Sequence, residues 1–322
     1  AGALGGCKTV LQLTATYAQE RHQFGKPIAS FPLVQQKLAS MATRIYVLES
    51  MVYRTAGQLD KAIHTLDLTK SVGKEAAAAI SEYAVEASIN KVFGSEVLDF
   101  VVDEGVQVHG GYGYMKEYAV ERAYRDARIN RIFEGTNEIN RLLIPGTLLR
   151  RTMKGELPLM EAMQQLQKEL TQFAPAFGEA APSSDDPLAE ERRLVDGLRK
   201  LTLMVAGLGV QKYLDKIENE QELLAAAADL GIALYASESA VLRTAKAGYP
   251  ELPTIMTRLF VHEAVDAAEA VARRALAALE EGDTLRVQLG VARRLTRRDP
   301  INSIALGRAV AAKVLEAGSY PV

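Results

Sequence analysis

The chain has 322 residues, of which 48% are hydrophobic and 24% charged, and its formal net charge at pH 7 is −2. This composition is typical of a globular protein of about two domains, and it lacks the basic excess that nucleic-acid binding requires. The single cysteine, Cys7, excludes an intramolecular disulfide and a cysteine-based metal site. The sequence shows no secretion signal and no apolar run of about 18 residues, so no membrane-spanning helix is predicted.

Hydrophobic periodicity predicts helices in the first part of the chain, and sustained strand alternation is missing, so the predicted class is all-α. The spacing of apolar residues predicts a helix over residues 3 to 20 and a long amphipathic helix over 33 to 59. A third helix is predicted over residues 68 to 93. Gly94 is expected to break that helix, and Ser95 to cap the next one.

In the second part of the chain, Pro145 is expected to kink or end a helix that follows Glu134. An amphipathic stretch at 157 to 173 and a Pro- and Ser-rich linker at 174 to 187 follow it. Asn219 and Glu222 have the spacing of a capping box. Four further helices are predicted over residues 189 to 215, 220 to 247, 254 to 281 and 300 to 317. The predicted domains are therefore 1 to 152, the connecting segment 153 to 187, and an additional helical domain at 188 to 322.

Glu134 is the first candidate for chemistry. It follows Ile132 and Phe133, and a carboxylate held against apolar side chains resists ionisation, so its pKa is expected to rise toward that of a general base. Thr136 or Asn137 can cap the helix that follows. The alternative is a structural carboxylate at a helix entry, favoured there by the helix dipole.

Three motifs occur in a characteristic order: ERHQFGKPI from Glu20, QVHGGYGY from Gln107 and RIFEGTNEI from Arg131. Together they resemble the C-terminal helical domain of the acyl-CoA dehydrogenase family. The additional helical domain after the linker is similar to that of the very-long-chain branch. The resemblance implies a fragment that lacks the N-terminal and middle domains of the family.

The resemblance implies that Glu134 removes a proton during FAD-dependent conversion of fatty acyl-CoA to trans-2-enoyl-CoA in fatty acid β-oxidation. The Glu134 amide would bind the thioester oxygen, and Phe133 and Gly135 would border the substrate. Pro32 departs from the glutamine that many relatives carry at a cofactor contact. The residues matching FAD contacts of the family are Arg21, Gln23, Phe24, Gln107, Val108, His109, Gly110, Gly111, Thr136, Asn137 and Glu138.

The resemblance also implies a homodimer or larger homo-oligomer, electron-transfer flavoprotein as partner, and a bacterial cytoplasmic or mitochondrial matrix location. Two alternatives remain open, a non-catalytic helical scaffold and a flavin-dependent acyl-CoA oxidase. No metal is expected, because the histidines lack ligand spacing. The segment 157 to 173 has few basic residues, so at most weak peripheral membrane contact is expected.

Four arginines, Arg293, Arg294, Arg297 and Arg298, have the spacing of one basic helical face. A solvated face balanced by nearby carboxylates is one interpretation, and contact with a partner protein is the other. Nucleic acid is disfavoured because no aromatic residues interleave.

Overall fold

The structure is a computed structural model, and it describes residues 1–66, 72–172 and 185–322. In these ranges twelve α-helices and one short hairpin are found, which confirms the predicted all-α class. The helices are α1 (Gly2–Glu20), α2 (Pro32–His64), α3 (Val72–Glu82), α4 (Ala84–His109), α5 (Ala119–Ala127), α6 (Asn137–Met153), α7 (Leu159–Gln172), α8 (Ala189–Tyr213), α9 (Gln221–Lys246), α10 (Glu251–Leu279), α11 (Gly282–Leu295) and α12 (Ser303–Ala317). Single 3-10 turns occupy Ile28–Ser30, Gly110–Tyr114, Arg128–Arg131 and Leu214–Asn219.

A two-stranded antiparallel hairpin follows α1 and was not predicted. Strand β1 (His22–Gln23) pairs with β2 (Lys26–Pro27), and the turn between them is Phe24 at φ 55° and Gly25 at φ 79°. Two consecutive positive φ values are typical of the tight turn that matches strand twist. Strands of two residues are too short for any alternation pattern, which is why the sequence showed none.

The predicted break at Gly94 and Ser95 is wrong, because α4 runs without interruption from Ala84 to His109. Gly94 is buried against α2, and a Cβ there would lie 3.3 Å from the Leu48 Cδ1 atom, so the missing side chain permits close helix packing. The Ser95 hydroxyl donates to the Val92 carbonyl at 2.9 Å, so it is satisfied inside the helix. The chain breaks earlier instead, at Tyr83, and the predicted helix start at Leu68 lies outside the described residues.

Helix α6 contains Pro145 and continues to Met153, so of the two expected effects the end of the helix is wrong, and the kink remains a prediction. Proline removes one helical hydrogen bond. Packing offsets that loss, because Ile144 and Pro145 are both buried and Arg151 pairs with Glu82 at 2.6 Å.

The four helices predicted after the linker are confirmed as α8, α9, α10 and α12, and α11 was missed. The Asn219 and Glu222 capping box is wrong: α9 begins after Glu220 and no side chain caps it, because a 3-10 turn occupies Leu214–Asn219. The single basic helical face is also wrong. Helix α11 ends at Leu295, and beyond it Arg298 pairs with Asp266 of α10.

Two hydrophobic clusters hold the helices together. The first cluster joins α1, α2 and α4 to α9, α10 and α12. The second cluster joins α7, α8 and α11 to other faces of α9 and α10. Helix α9 is long and apolar enough, by length and composition alone, to cross a membrane, and half of its apolar window is buried. In the described chain it is a core helix. The domain division remains a prediction, and residues 173–184 of the predicted connecting segment lie outside the described ranges.

The apolar face of α7 packs on α8. Leu166 is buried in the second cluster, and the Met163 side chain lies 3.5 Å from a Cβ built at Gly207. The side chains of Leu170 and Phe173, which the sequence places on the same face, lie outside the described residues. This docking takes up part of the surface that membrane contact would require, and the weak contact expected from sequence remains a prediction.

Candidate functional site

Glu134 lies in a tight left-handed turn just before α6. Its φ is 56°, and Gly135 follows at 82°. A positive φ is costly for a residue with a side chain, and such strain is concentrated at functional sites. Gly135 has a second reason to be glycine, since a Cβ there would lie 3.0 Å from the Asn140 Nδ2 atom. The backbone therefore fixes Glu134 in a defined orientation.

Polar side chains from α4 and α6 hold this turn in place. The Thr136 hydroxyl accepts from the Ile139 N–H at 3.3 Å, which confirms the predicted cap. Asn140 Nδ2 donates to the Gly135 carbonyl at 2.9 Å and to the Thr136 carbonyl at 3.1 Å. From α4, Lys91 Nζ donates to the same Gly135 carbonyl at 2.6 Å.

Lys91 was missed by sequence reasoning, because nothing in the alanine-rich segment around it marks a functional lysine. Its ammonium also donates to Asn137 Oδ1 at 2.8 Å. Partial burial lowers the pKa of Lys91, while the carboxylates of Glu134, Glu138 and Glu96 act in the opposite direction. Lys91 thus places a positive charge beneath the turn that carries Glu134.

The Asn137 side chain is buried and fully engaged with α4. Its Oδ1 accepts from Lys91 Nζ, and its Nδ2 donates to Ser95 Oγ at 2.9 Å and to Glu96 Oε1 at 3.2 Å. Only its backbone is left to contact a ligand. Glu138 is exposed, and hydrogen bonds from its own N–H and from the Thr136 hydroxyl hold its pKa below the usual range.

The apolar enclosure predicted around Glu134 is wrong for the described residues. Glu134 is exposed, and Ile132 and Phe133 are 48% and 44% exposed, because the turn places all three at the surface. The Glu134 N–H has no hydrogen-bond acceptor among the described residues. A carboxylate and a free amide of the same residue are therefore both available to one ligand.

A second feature is an open cleft of about 580 Å³ where the end of α1, the hairpin and the end of α4 meet. Six of the residues predicted to contact a cofactor line it, namely Arg21, Gln23, Val108, His109, Gly110 and Gly111. Two others lie outside it. Phe24, at the hairpin turn, is 92% exposed, and Gln107 is exposed on α4.

His109 forms a wall of this cleft. Its Nδ1 lies 2.7 Å from the Gly105 carbonyl, which can only accept, so Nδ1 carries the proton. The ring stacks on Tyr17 at 4.1 Å, and burial lowers the pKa of His109. A neutral stacked imidazole suits an aromatic wall. Among the described residues no cluster of potential metal ligands is present.

The cleft fits the phosphate end of a dinucleotide such as FAD. Gly110 has φ 61°, and a Cβ built at either Gly110 or Gly111 meets no atom within 4 Å, so open space lies above both. The Arg21 guanidinium lies 5.3 Å from the centre of the Tyr112 ring at the other edge. A guanidinium fork and exposed glycine backbone that line the same cleft are suited to a pyrophosphate.

The Glu134 turn packs on the N-terminal half of α4, and the Arg21 cleft lies at the C-terminal end of that helix. Lys91 marks the first position and His109 the second, and at about 1.5 Å per residue they are about 27 Å apart along the axis. The sequence motifs are therefore brought into two groups rather than one.

Residues 1–149 match the family described as acyl-CoA dehydrogenase, C-terminal domain, and residues 197–294 match a second family with the same description. A probable acyl-CoA dehydrogenase of Bacillus subtilis is 49% identical, over 100% of this chain and 54% of its own length. The very long-chain specific acyl-CoA dehydrogenase of Rattus norvegicus is 32% identical, over 76% of this chain and 37% of its own.

Among solved structures, the acyl-CoA dehydrogenase of Bacillus anthracis complexed with FAD is 51% identical with a TM-score of 0.96. The match extends over 100% of this chain and over 55% of the Bacillus anthracis chain. The chain thus spans about half the length of the two Bacillus proteins. The two family matches and the identity over the whole chain show that this protein belongs to the acyl-CoA dehydrogenase family.

Proposed function

We propose that this chain supplies the catalytic base and part of the FAD site for the α,β-dehydrogenation of fatty acyl-CoA to trans-2-enoyl-CoA, as in fatty acid β-oxidation. The observation that carries the proposal is the left-handed turn at Glu134, where the side chain is exposed and the N–H of the same residue has no acceptor among the described residues. The Arg21 cleft in the same chain adds a place for the phosphates of the cofactor.

In this reaction the Glu134 carboxylate takes the proton from the carbon next to the thioester carbonyl. The Glu134 N–H donates to the thioester oxygen, which stabilises the negative charge that develops there. Bound FAD supplies the acceptor for the hydride from the next carbon, so that one C–C double bond forms. Gly135 leaves space for the acyl chain beside the base, and Phe133 excludes water from the reacting carbons.

The two groups of predicted cofactor residues have separate tasks. Arg21 and the glycines at the end of α4 would hold the pyrophosphate, with Gln23 beside them. The backbone of Thr136 and Asn137 would lie near the base. Because about 27 Å of helix separates the two groups, the proposal includes a homo-oligomer in which the cleft of one copy completes the cofactor site of another.

We also infer that electron-transfer flavoprotein accepts the electrons and that the location is the bacterial cytoplasm. The bacterial source of the relative that is 49% identical supports the location. Both assignments rest on the proposed dehydrogenase reaction.

The test is anaerobic mixing of palmitoyl-CoA with the FAD-loaded polypeptide that carries this chain. Loss of the flavin absorbance near its long-wavelength maximum, together with formation of the enoyl product, is the expected result. A scaffold protein leaves the flavin oxidised. An oxidase is distinguished in a second step, because its reduced flavin is reoxidised rapidly by oxygen and slowly by electron-transfer flavoprotein.

A further inference from the structure

A cavity of about 1040 Å³ lies between α2, α10 and the segment that joins α11 to α12. This volume is just above the range of about 300 to 1,000 Å³ that is usual for small-molecule sites. It shares no lining residue with the Arg21 cleft and contains no residue of the Glu134 turn. Pro32 lines it at the position of a family cofactor contact, but no residue assigned above to the base or to the cofactor site does.

The walls carry an excess of positive charge. Arg293, Arg297 and Arg308 line the cavity, and their guanidinium groups make no hydrogen bond or ion pair with the described part of the chain. The lining carboxylates do not balance them, because each is already engaged by another arginine: Glu263 with Arg44, Asp266 with Arg298, and Glu269 with Arg273. Three arginines are therefore left for an external anion.

Two buried polar groups in the same walls lack partners. Thr43 is 3% exposed and His262 is 7% exposed, and neither the Thr43 Oγ1 atom nor the His262 Nε2 atom has a hydrogen-bond partner in the described chain. The carboxylate of Glu191 is the nearest acidic group to His262 Nε2, at 3.6 Å, which is beyond hydrogen-bond distance. Buried polar groups are normally satisfied, so both mark a place where a ligand would complete the bonding.

We propose that this cavity binds a small molecule that carries two or more phosphate groups. The guanidinium groups of Arg293, Arg297 and Arg308 bind phosphate oxygens in a fixed fork geometry. The Thr43 hydroxyl and the His262 imidazole, in the cavity wall, form hydrogen bonds with the same ligand. Leu33 and Ile304 also line the cavity and are 74% and 69% exposed, so they offer an apolar contact to the organic part of the ligand.

The experiment is calorimetric titration of sodium pyrophosphate into the chain carrying Arg21→Gln, which removes the competing arginine of the other cleft. Arg297→Gln and Arg308→Gln are each expected to lower the affinity about tenfold or more, as loss of a charged hydrogen bond requires. The matched control is Arg274→Gln, an exposed arginine of α10 outside the lining, and it should leave the affinity unchanged.

Thr43→Val separates ligand binding from folding. The substitution removes a buried hydroxyl without a partner, so the free protein should melt at the same or a higher temperature, while pyrophosphate affinity falls. The proposal is overturned if no saturable binding occurs at millimolar pyrophosphate, or if Arg274→Gln weakens binding as much as Arg297→Gln. It is also overturned if Arg297→Gln and Arg308→Gln instead dissociate a dimer of the chain, since a second copy then covers the cavity.

Discussion

Glu49→Gln should destabilise the whole chain, because Glu49 joins both termini to the core. The side chain is 5% exposed, accepts from Arg243 Nη1 at 2.8 Å and from the Tyr320 hydroxyl at 3.1 Å, and pairs with Lys8. These partners lie on α1, on α9 and in the segment after α12. Removing one member of a buried charged group costs about 3 to 5 kcal/mol, and the value here is about 3 kcal/mol because Lys8 and Arg243 are 34% and 31% exposed.

The pH dependence of this loss has a defined sign. Burial acts to raise the pKa of Glu49, but its hydrogen bonds with Lys8 and Arg243 outweigh burial, so the folded pKa lies below the ordinary value of 4.5. A depressed carboxylate pKa stabilises the folded state above the unfolded pKa, and this contribution is lost as pH falls through the folded value. The gap in unfolding free energy between the unsubstituted chain and Glu49→Gln should therefore be constant above pH 4.5 and shrink below it.

The assay is urea unfolding of the chain followed by circular dichroism between pH 3 and pH 8, with Glu316→Gln as control. Glu316 is exposed on α12 and, within the described part of the chain, pairs only with Lys313 three residues away, so Glu316→Gln should leave the unfolding midpoint unchanged at neutral pH. The reasoning is refuted if Glu49→Gln behaves like that control, or if its deficit persists undiminished at the acid end of the range.

Three other perturbations test the base, its support and the packing of the last helices. Glu134→Gln should slow anaerobic flavin reduction by palmitoyl-CoA by about 10² to 10⁴ while FAD content is retained, and a near-normal rate would remove Glu134 as the base. Lys91→Met should slow the same step about 10²-fold with little change in KM, because the carbonyl of Gly135 loses its anchor; full activity would contradict the positioning role. Gly197→Ala should cost about 1 to 3 kcal/mol in urea unfolding, since its Cβ would strike the Leu295 carbonyl, whereas Gly231→Ala, with open space, should not destabilise.

Long helices with one buried face could be predicted from sequence. Helix α2 is an example, because its apolar residues recur at helical steps and that stripe is buried against several other helices. Helix α11 could not be found in this way, since Ala292 is its only buried residue and its remaining apolar side chains are only partly covered. Gly94 and Pro145 were misread for a related reason: each is tolerated inside a helix by packing partners that are distant in sequence.

The candidate site shows a similar limit. Resemblance to a family identified most residues of the Arg21 cleft, but the cleft exists only because the ends of α1 and α4 are adjacent in the fold. Lys91 carries no local signal at all, because its role comes from facing a turn more than forty residues away. The free amide of Glu134 likewise depends on backbone angles that a sequence pattern does not contain.

The helices after residue 188 also support the Glu134 turn. Arg141 of α6 lies one helical turn beyond Asn137, and its guanidinium pairs with Glu96 of α4 at 2.8 Å and with Asp229 of α9 at 2.7 Å. Burial acts to lower the pKa of Arg141, but these two carboxylates outweigh burial and raise it, so Arg141 remains charged while only 20% of its side chain is exposed. Because α9 also packs in both hydrophobic clusters, a displacement of the C-terminal helices would be transmitted through Asp229 to the start of α6. The geometry of Glu134 is thus set by both parts of the chain, and the additional helices form part of the support that holds the proposed base in position.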